Sequence, residues 1–295
     1  MDSSIAQRGL LPDSFPANPN NLTPLHITSS QNPRLKAAKA LRDAKQRRRT
    51  GRFLIDGFDL FRKAVEGTIV IREVFIRSDA PGWIHDWIHD SIGVLASRPE
   101  IFIVDPAAMQ KLQYGEASSD VIAVAESWDL SLPSLNQRLK THASAKDIYL
   151  VLDRIEKPGN LGAALRTADA VGVRAVLLCD PICESFTPNS VRSSLGALFF
   201  VPLGCGSESE IQEWLDHQGI GVYAARVDGT NDYSDMRYTT PCAIVVGNEA
   251  DGLAGRWQAA TNVAIPMAGK IDSLNASVST AVLLFEIARQ NRSTP

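Results

Sequence analysis

Residues Ile148 to Leu152 read Ile-Tyr-Leu-Val-Leu, and Asp147 is the only polar residue beside the run's start. A strand without polar alternation must be covered on both faces, as central strands of parallel sheets are. Comparable short runs follow at Arg174 to Cys179, Leu198 to Val201, Gly221 to Ala225, Ala243 to Val246 and Val263 to Ile265. Helical segments are predicted between them, at Leu161 to Val171, Ser190 to Leu195, Glu208 to His217 and Ala276 to Gln290. Strands alternating with helices predict an α/β fold on a parallel sheet. Ligands bind such sheets at the carboxyl ends of the strands. Three segments place Gly, Asn, Glu, Ser or Arg at such ends: Asn160 to Ala168, Val246 to Leu253, and Ile265-Pro266-Met267 with Ser273 to Ser277. Three polar strand ends in one domain predict one assembled site.

The first half repeats the alternation on a smaller scale. Met1 to Pro24 carries four prolines and little apolar periodicity, so residues 1–24 are expected to be a disordered lead. Order is expected from Leu25-His26-Ile27. Pro33 suits the first turn of a helix, with caps among Ser30 to Asn32 and a stop near Thr50-Gly51. Strands are predicted at Phe53 to Ile55, Arg72 to Ile76, Glu100 to Val104 and Val121 to Ala125, with helices at Phe58 to Val65 and Pro106 to Leu112. This divides the chain into a first α/β domain over 25–127, a polar linker over 128–146 with room for a short helix, and a second domain over 147–295. No internal repeat is present.

The net charge is −3, which alone argues against a polyanionic partner. Its distribution argues the opposite. Arg34, Lys36, Lys39, Arg42, Lys45, Arg47, Arg48, Arg49 and Arg52 are opposed only by Asp43, so this segment carries +8 and the rest of the chain −11. Segregated charge of this kind is the footprint of a nucleic-acid backbone. The four cysteines (Cys179, Cys183, Cys205 and Cys242) lack a partnering pattern for zinc, so no metal is expected and the thiols are read as reduced, in a cytoplasmic protein. No apolar run is long enough for a membrane helix, and Met1-Asp2-Ser3-Ser4 does not begin a secretory signal. The first strand of the second domain leads to Lys157-Pro158-Gly159-Asn160-Leu161-Gly162, which is not a dinucleotide fingerprint, and no P-loop is present.

The segments N-x-G-x-x-x-R-T-A from Asn160, G-x-E-x-x-G-L from Gly247, and I-P-M with S-L-N-x-S from Ile265 and Ser273 resemble the SpoU (TrmH-like) family of RNA ribose 2′-O-methyltransferases, in the SPOUT superfamily. The resemblance spans about Ile148 to Gln290. It implies a catalytic sheet with a deep trefoil knot, and S-adenosylmethionine as cofactor. It also implies a homodimer through the C-terminal domain, with Arg166 acting across the interface. The implied catalytic set is Asn160, Arg166, Glu249, Ser273 and Asn275. The implied cofactor-binding set is Val246, Gly247, Asn248, Gly252, Leu253, Ile265, Met267, Ser273 and Leu274. Phe53-Leu54-Ile55-Asp56-Gly57 resembles a run in the L30e-like substrate-binding domain that precedes many SpoU domains, with Asp56 in place of Glu. That module points to structured RNA, ribosomal (large-subunit, 23S) ahead of transfer RNA; a non-catalytic RNA-binding protein is a further alternative.

Each residue also has a plainer reading. Asn160 and Asn275 are good helix caps, Arg166 suits a surface ion pair, and Glu249 suits a structural hydrogen bond. Arg192 to Phe199 matches a further R-x-S-x-G-A-x-F pattern of the family, and a packing turn is as good an account of it as a ligand contact.

Overall fold

The computed structural model describes residues 24–92, 95, 98–113, 119–141 and 147–291. All but the last residue of the expected disordered lead lie outside these, as does the end of the expected linker.

Two sheets organise the chain. The first contains β1 (Leu25–Ile27), β2 (Arg52–Asp56), β3 (Ile71–Arg77), β4 (Glu100–Val104) and β5 (Val121–Glu126), in the order β1-β4-β3-β5-β2. β4 pairs parallel with β1 and β3, whereas β5 runs antiparallel between β3 and β2. Its helices are α1 (Pro33–Ala40), α2 (Ala44–Thr50), α3 (Phe58–Glu66), α4 (Gly82–Ile92) and α5 (Pro106–Met109). The single basic helix expected over 33–50 is two helices. Asp43 breaks it, because its carboxylate caps the amides of Lys45 and Gln46 and starts α2. Gly51, at φ 62°, ends α2 as expected. α4 was not predicted. Its Ile84 and Ile88, one turn apart, are buried on the sheet.

The second sheet contains β6 (Ile148–Asp153), β7 (Ala175–Cys179), β8 (Leu203–Gly206), β9 (Gly221–Ala225), β10 (Cys242–Val246) and β11 (Thr261–Val263). The order is β11-β9-β10-β6-β7-β8, and every pairing is parallel. α6 (Leu132–Thr141) precedes it, and α7 (Pro158–Val171), α8 (Pro188–Ser193), α9 (Glu208–His217) and α10 (Ala276–Gln290) follow within it. Every residue of β6 is buried, which is the central position its composition predicts. The strand predicted at Leu198 to Val201 is instead a short 3-10 turn (Ala197–Phe199), entered through Gly196 at φ 94°. The sheet takes Leu-Gly-Cys-Gly at β8. A Cβ on Gly204 would come within 2.7 Å of Leu135 Cδ2, so the small residue lets α6 lie close over the strand. The expected linker therefore contains a helix packed on the second sheet.

The two halves share one apolar core, from Phe53 on β2 and Phe61 on α3 to Leu165 on α7 and Leu284 on α10. Phe53, Trp128 and Phe186 form a ring cluster where they meet. Polar ties surround it. Arg47 and Arg48 both bond Glu184, Arg192 reaches Asp56 at 3.3 Å, and Lys63 Nζ donates to the Leu195 carbonyl at 2.6 Å. Burial works against the Glu184 charge, yet the two guanidiniums hold its carboxyl below the usual range. The 192–199 run is thus a packing turn that docks the first domain. Ser193 lies so close to α7 that a Cβ on Gly162 would overlap its hydroxyl.

Candidate functional site

A cleft of about 610 Å³ opens where β9, β10 and β11 end, lined by the last residue of each: Ala225, Val246 and Val263. The chain leaves β10 through Gly247, where any side chain is excluded. A Cβ there would stand 2.3 Å from the carbonyl carbon of Gly252. The buried Asn248 then turns the backbone, its Oδ1 accepting from the Asp251 amide at 2.8 Å. This brings the main chain of 247–253 to the cleft wall. Ile265, Met267, Ser273 and Leu274 also line the cleft.

The structure brings together all nine residues expected to bind the cofactor: Val246, Gly247, Asn248, Gly252, Leu253, Ile265, Met267, Ser273 and Leu274 line this cleft. Of the catalytic set, Glu249 and Ser273 also line it, whereas Asn160, Arg166 and Asn275 do not. Glu249 does not make the structural hydrogen bond that its plainer reading requires. Its Oε1 is shielded from solvent without a hydrogen-bond partner among the described residues.

Asn160 does not take its plainer reading as a helix cap. Lys157 is the N-cap of α7, because Pro158 already fits the first helical position with its missing N–H. Asn160 falls in the first turn, and its Oδ1 accepts from Asn275 Nδ2 at 3.1 Å. Asn275 is the helix cap of its plainer reading. Its own Oδ1 caps α10 through the Ser277 amide at 2.9 Å, while its amide group holds Asn160. The starts of α7 and α10 are thereby tied, and the two helices pack along their length. Arg166 lies on α7 with its side chain exposed, and forms no ion pair with a described residue.

Four carboxylates line the cleft, from Asp228, Glu249, Asp251 and Asp272, against the single guanidinium of Arg226. Arg226 and Asp228 were missed in the sequence. They follow β9, a predicted strand, so the rule that marked the other strand ends applies to them equally.

Cys179 lies behind the cleft, where burial and the nearby Asp153 charge push its thiol up to about 12. Among the described residues no group of side chains could hold a metal ion, and no helix is long and apolar enough to cross a membrane.

The basic segment is less uniform than its composition. Arg34 pairs with Glu73 and Glu100, and Arg42 donates to the carbonyls of Leu112 and Gln113. Arg47 is buried, donating to the Leu41 carbonyl and to Glu184. Its assignment to RNA binding is therefore corrected: the guanidinium is engaged inside the fold. Arg52 is half-buried, and Arg48 shares Glu184 with Arg47. Lys36, Lys39, Lys45 and Arg49 are exposed.

Comparison with known proteins follows the same division of the chain. Residues 147–285 match the SpoU rRNA Methylase family, and residues 32–123 match the MRM3-like substrate binding domain. The 23S rRNA (uridine(2479)-2′-O)-methyltransferase of Streptomyces viridochromogenes is 30% identical over 273 residues, covering 89% of this chain and 91% of that protein. This chain belongs to the SpoU methylase family. A second family relative, the 23S rRNA (guanosine(2553)-2′-O)-methyltransferase RlmP of Bacillus subtilis, is 26% identical over 88% of this chain and 98% of its own length. The AdoMet-bound rRNA methyltransferase from Sinorhizobium meliloti superposes with a TM-score of 0.78 at 26% identity, covering 91% of this chain and 98% of that one.

Proposed function

We propose that this protein transfers the methyl group of S-adenosylmethionine to a ribose 2′-hydroxyl of large-subunit ribosomal RNA. One observation carries the reading: the motif residues from β10, the Ile265 loop and the start of α10 converge on a single cleft. The cleft suits this cofactor. Its apolar side, Val246, Ile265 and Leu274, fits an adenine ring, and the bare backbone at Gly247 allows close approach. Its carboxylates favour a cationic ligand.

The bound cofactor supplies an electrophilic methyl on a sulfonium. Passing that methyl to the hydroxyl oxygen would release S-adenosylhomocysteine as the leaving thioether and the hydroxyl proton to solvent. A guanidinium is a poor general base, so the role of Arg166 is to stabilise the developing alkoxide or hold a phosphate. Exposed and outside the cleft of its own chain, it acts in the cleft of a second copy. Val278 and Phe285, two turns apart on α10, are exposed on the helix packed against α7 and provide apolar surface for that homodimer. The family's trefoil knot belongs to the same reading. Lys36, Lys39, Lys45 and Arg49 supply phosphate contacts, and the match to a substrate-binding module ahead of the catalytic half favours folded ribosomal RNA. The cytoplasm, where the four free thiols stay reduced, is the proposed setting.

The test is calorimetric titration with S-adenosylmethionine, followed by transfer of radiolabelled methyl to 23S ribosomal RNA and to transfer RNA in parallel. Saturable binding, competition by S-adenosylhomocysteine and label on a ribose 2′-oxygen of the ribosomal RNA are expected. No heat at millimolar ligand would sink the reading, and label on transfer RNA alone would move the substrate.

A further inference from the structure

Behind the loop that walls the cleft lies a charged cluster with no part in the chemistry above. Arg256 is its hub. Its Nε stands 2.8 Å from Asp153 Oδ2 and 3.2 Å from Glu208 Oε2, and its Nη2 stands 2.6 Å from Asp180 Oδ2. The same Asp153 oxygen accepts from Trp257 Nε1 at 2.7 Å, and Glu208 Oε1 accepts from the Trp257 amide at 2.8 Å. Asp153 is fully buried at the end of β6, Asp180 follows β7, and Glu208 opens α9. Three elements outside the cleft thus converge on two consecutive loop residues.

The backbone they hold is strained. Gly252, Ala254, Gly255 and Trp257 all have positive φ, at 56°, 39°, 78° and 55°. For a bulky aromatic this is a costly conformation, sustained only where the surroundings over-determine it. The upstream part of the same loop, Gly252 to Gly255, lines the cleft. Two further ties connect the cluster to the cleft. Arg154 Nη2 donates to the Gly252 carbonyl at 3.2 Å, and Arg226, which follows β9 and lines the cleft, donates to the Arg256 carbonyl. Burial opposes the Arg256 charge, but the bonds to Asp180 and Asp153 raise its pKa above the ordinary value, so it stays cationic.

We propose that Arg256 is a positioning residue for cofactor binding: clamped by Asp153, Asp180 and Glu208, it fixes the strained loop 252–257 and so sets the width of the cleft between that loop and the end of β9. The inference rests on the cleft being the S-adenosylmethionine site. Its test uses the full-length Arg256→Lys and Asp180→Asn variants. The first keeps the cation and loses the fork. The second removes one carboxylate, 40% exposed, from the rim. Calorimetric affinity and KM for S-adenosylmethionine, kcat at saturating cofactor, and the unfolding midpoint without cofactor are measured together.

Both variants are expected to weaken cofactor binding and raise its KM by about tenfold, the scale of one lost charge-assisted hydrogen bond, with kcat within about twofold of wild type. A purely structural role would lower the unfolding midpoint and the active fraction while KM stayed put, and that result overturns the proposal. So does wild-type affinity in folded variants. If Arg256→Lys does not fold, Asp180→Asn decides alone. A wild type that binds no cofactor removes the cleft assignment itself, whereas a binding wild type with unaffected variants removes only the role of Arg256.

Discussion

The cleft and the basic segment are built by different means. The cleft is shaped by backbone: Gly247 admits no side chain, Asn248 turns the chain, and Gly252 closes the bend at positive φ. Each residue type there is dictated by a local steric or hydrogen-bonding need. The basic segment is a set of long side chains whose partners are decided by what packs nearby. Arg34, Arg42, Arg47 and Arg48 are engaged within the protein, and the surface left for a polyanion rests chiefly on Lys36, Lys39, Lys45 and Arg49. A site made of backbone bends is specified by neighbours in sequence. A site made of flexible cations is specified by neighbours in space.

The comparison predicts separable defects. The largest concerns Arg166→Ala. Loss of a contact to developing charge typically costs about 10²-fold or more, so turnover is expected to fall by that order while calorimetric cofactor affinity holds. Near-normal turnover would remove Arg166 from the chemistry. Next is Gly247→Ala, which forces a methyl into the Gly252 backbone. Overpacking of this kind costs about 1–3 kcal/mol, expected as a loss of cofactor affinity and a lower unfolding midpoint. An unchanged affinity would mean that the bend is not part of the cofactor wall.

A several-fold loss of RNA affinity is expected for the quadruple variant Lys36→Ser, Lys39→Ser, Lys45→Ser and Arg49→Ser. Its log affinity against log salt should become shallower by about 0.7–0.9 per contact removed. Cofactor affinity should not move. Arg47→Ala is the contrast. It removes a buried guanidinium and leaves Glu184 with Arg48 alone, so thermal unfolding should report it and the salt slope should not. A shallower slope in Arg47→Ala would return that residue to the RNA surface. The smallest effect belongs to Asp228→Asn with Asp272→Asn. These rim charges are worth about 0.2–1 kcal/mol each at most, so cofactor affinity should weaken a few-fold, and more at low ionic strength. Tighter binding would contradict the electrostatic account of the cleft.

The parallel sheet was legible because a strand covered on both faces, such as β6, shows an unbroken apolar run. That the residues of the cleft wall come together was legible for the same local reason. Leu198 to Val201 misled because its composition suits a strand, and only the turn at Gly196 and the fit of α6 over Gly204 shift the strand downstream. α4 was hidden because its two buried isoleucines stand among Trp, His and Asp. The plainer reading of Asn160 as a cap fails because Pro158, two residues earlier, has already begun the helix. The burial of Arg47 had no signature in the sequence, since its carboxylate partner lies 137 residues away.

The apolar core runs from one sheet into the other, and rings, ion pairs and a lysine-to-carbonyl bond fasten its edge. Two halves joined in this way have little freedom to swing. On the proposed reading, the span between the exposed cations and the cleft is then set by the fold, and target choice would become a matter of measurement. A ribose would be eligible when the RNA fold places it at that span from a stretch of accessible backbone. The protein would act as a caliper, and an RNA that loses its tertiary shape would cease to be a substrate even with its sequence intact.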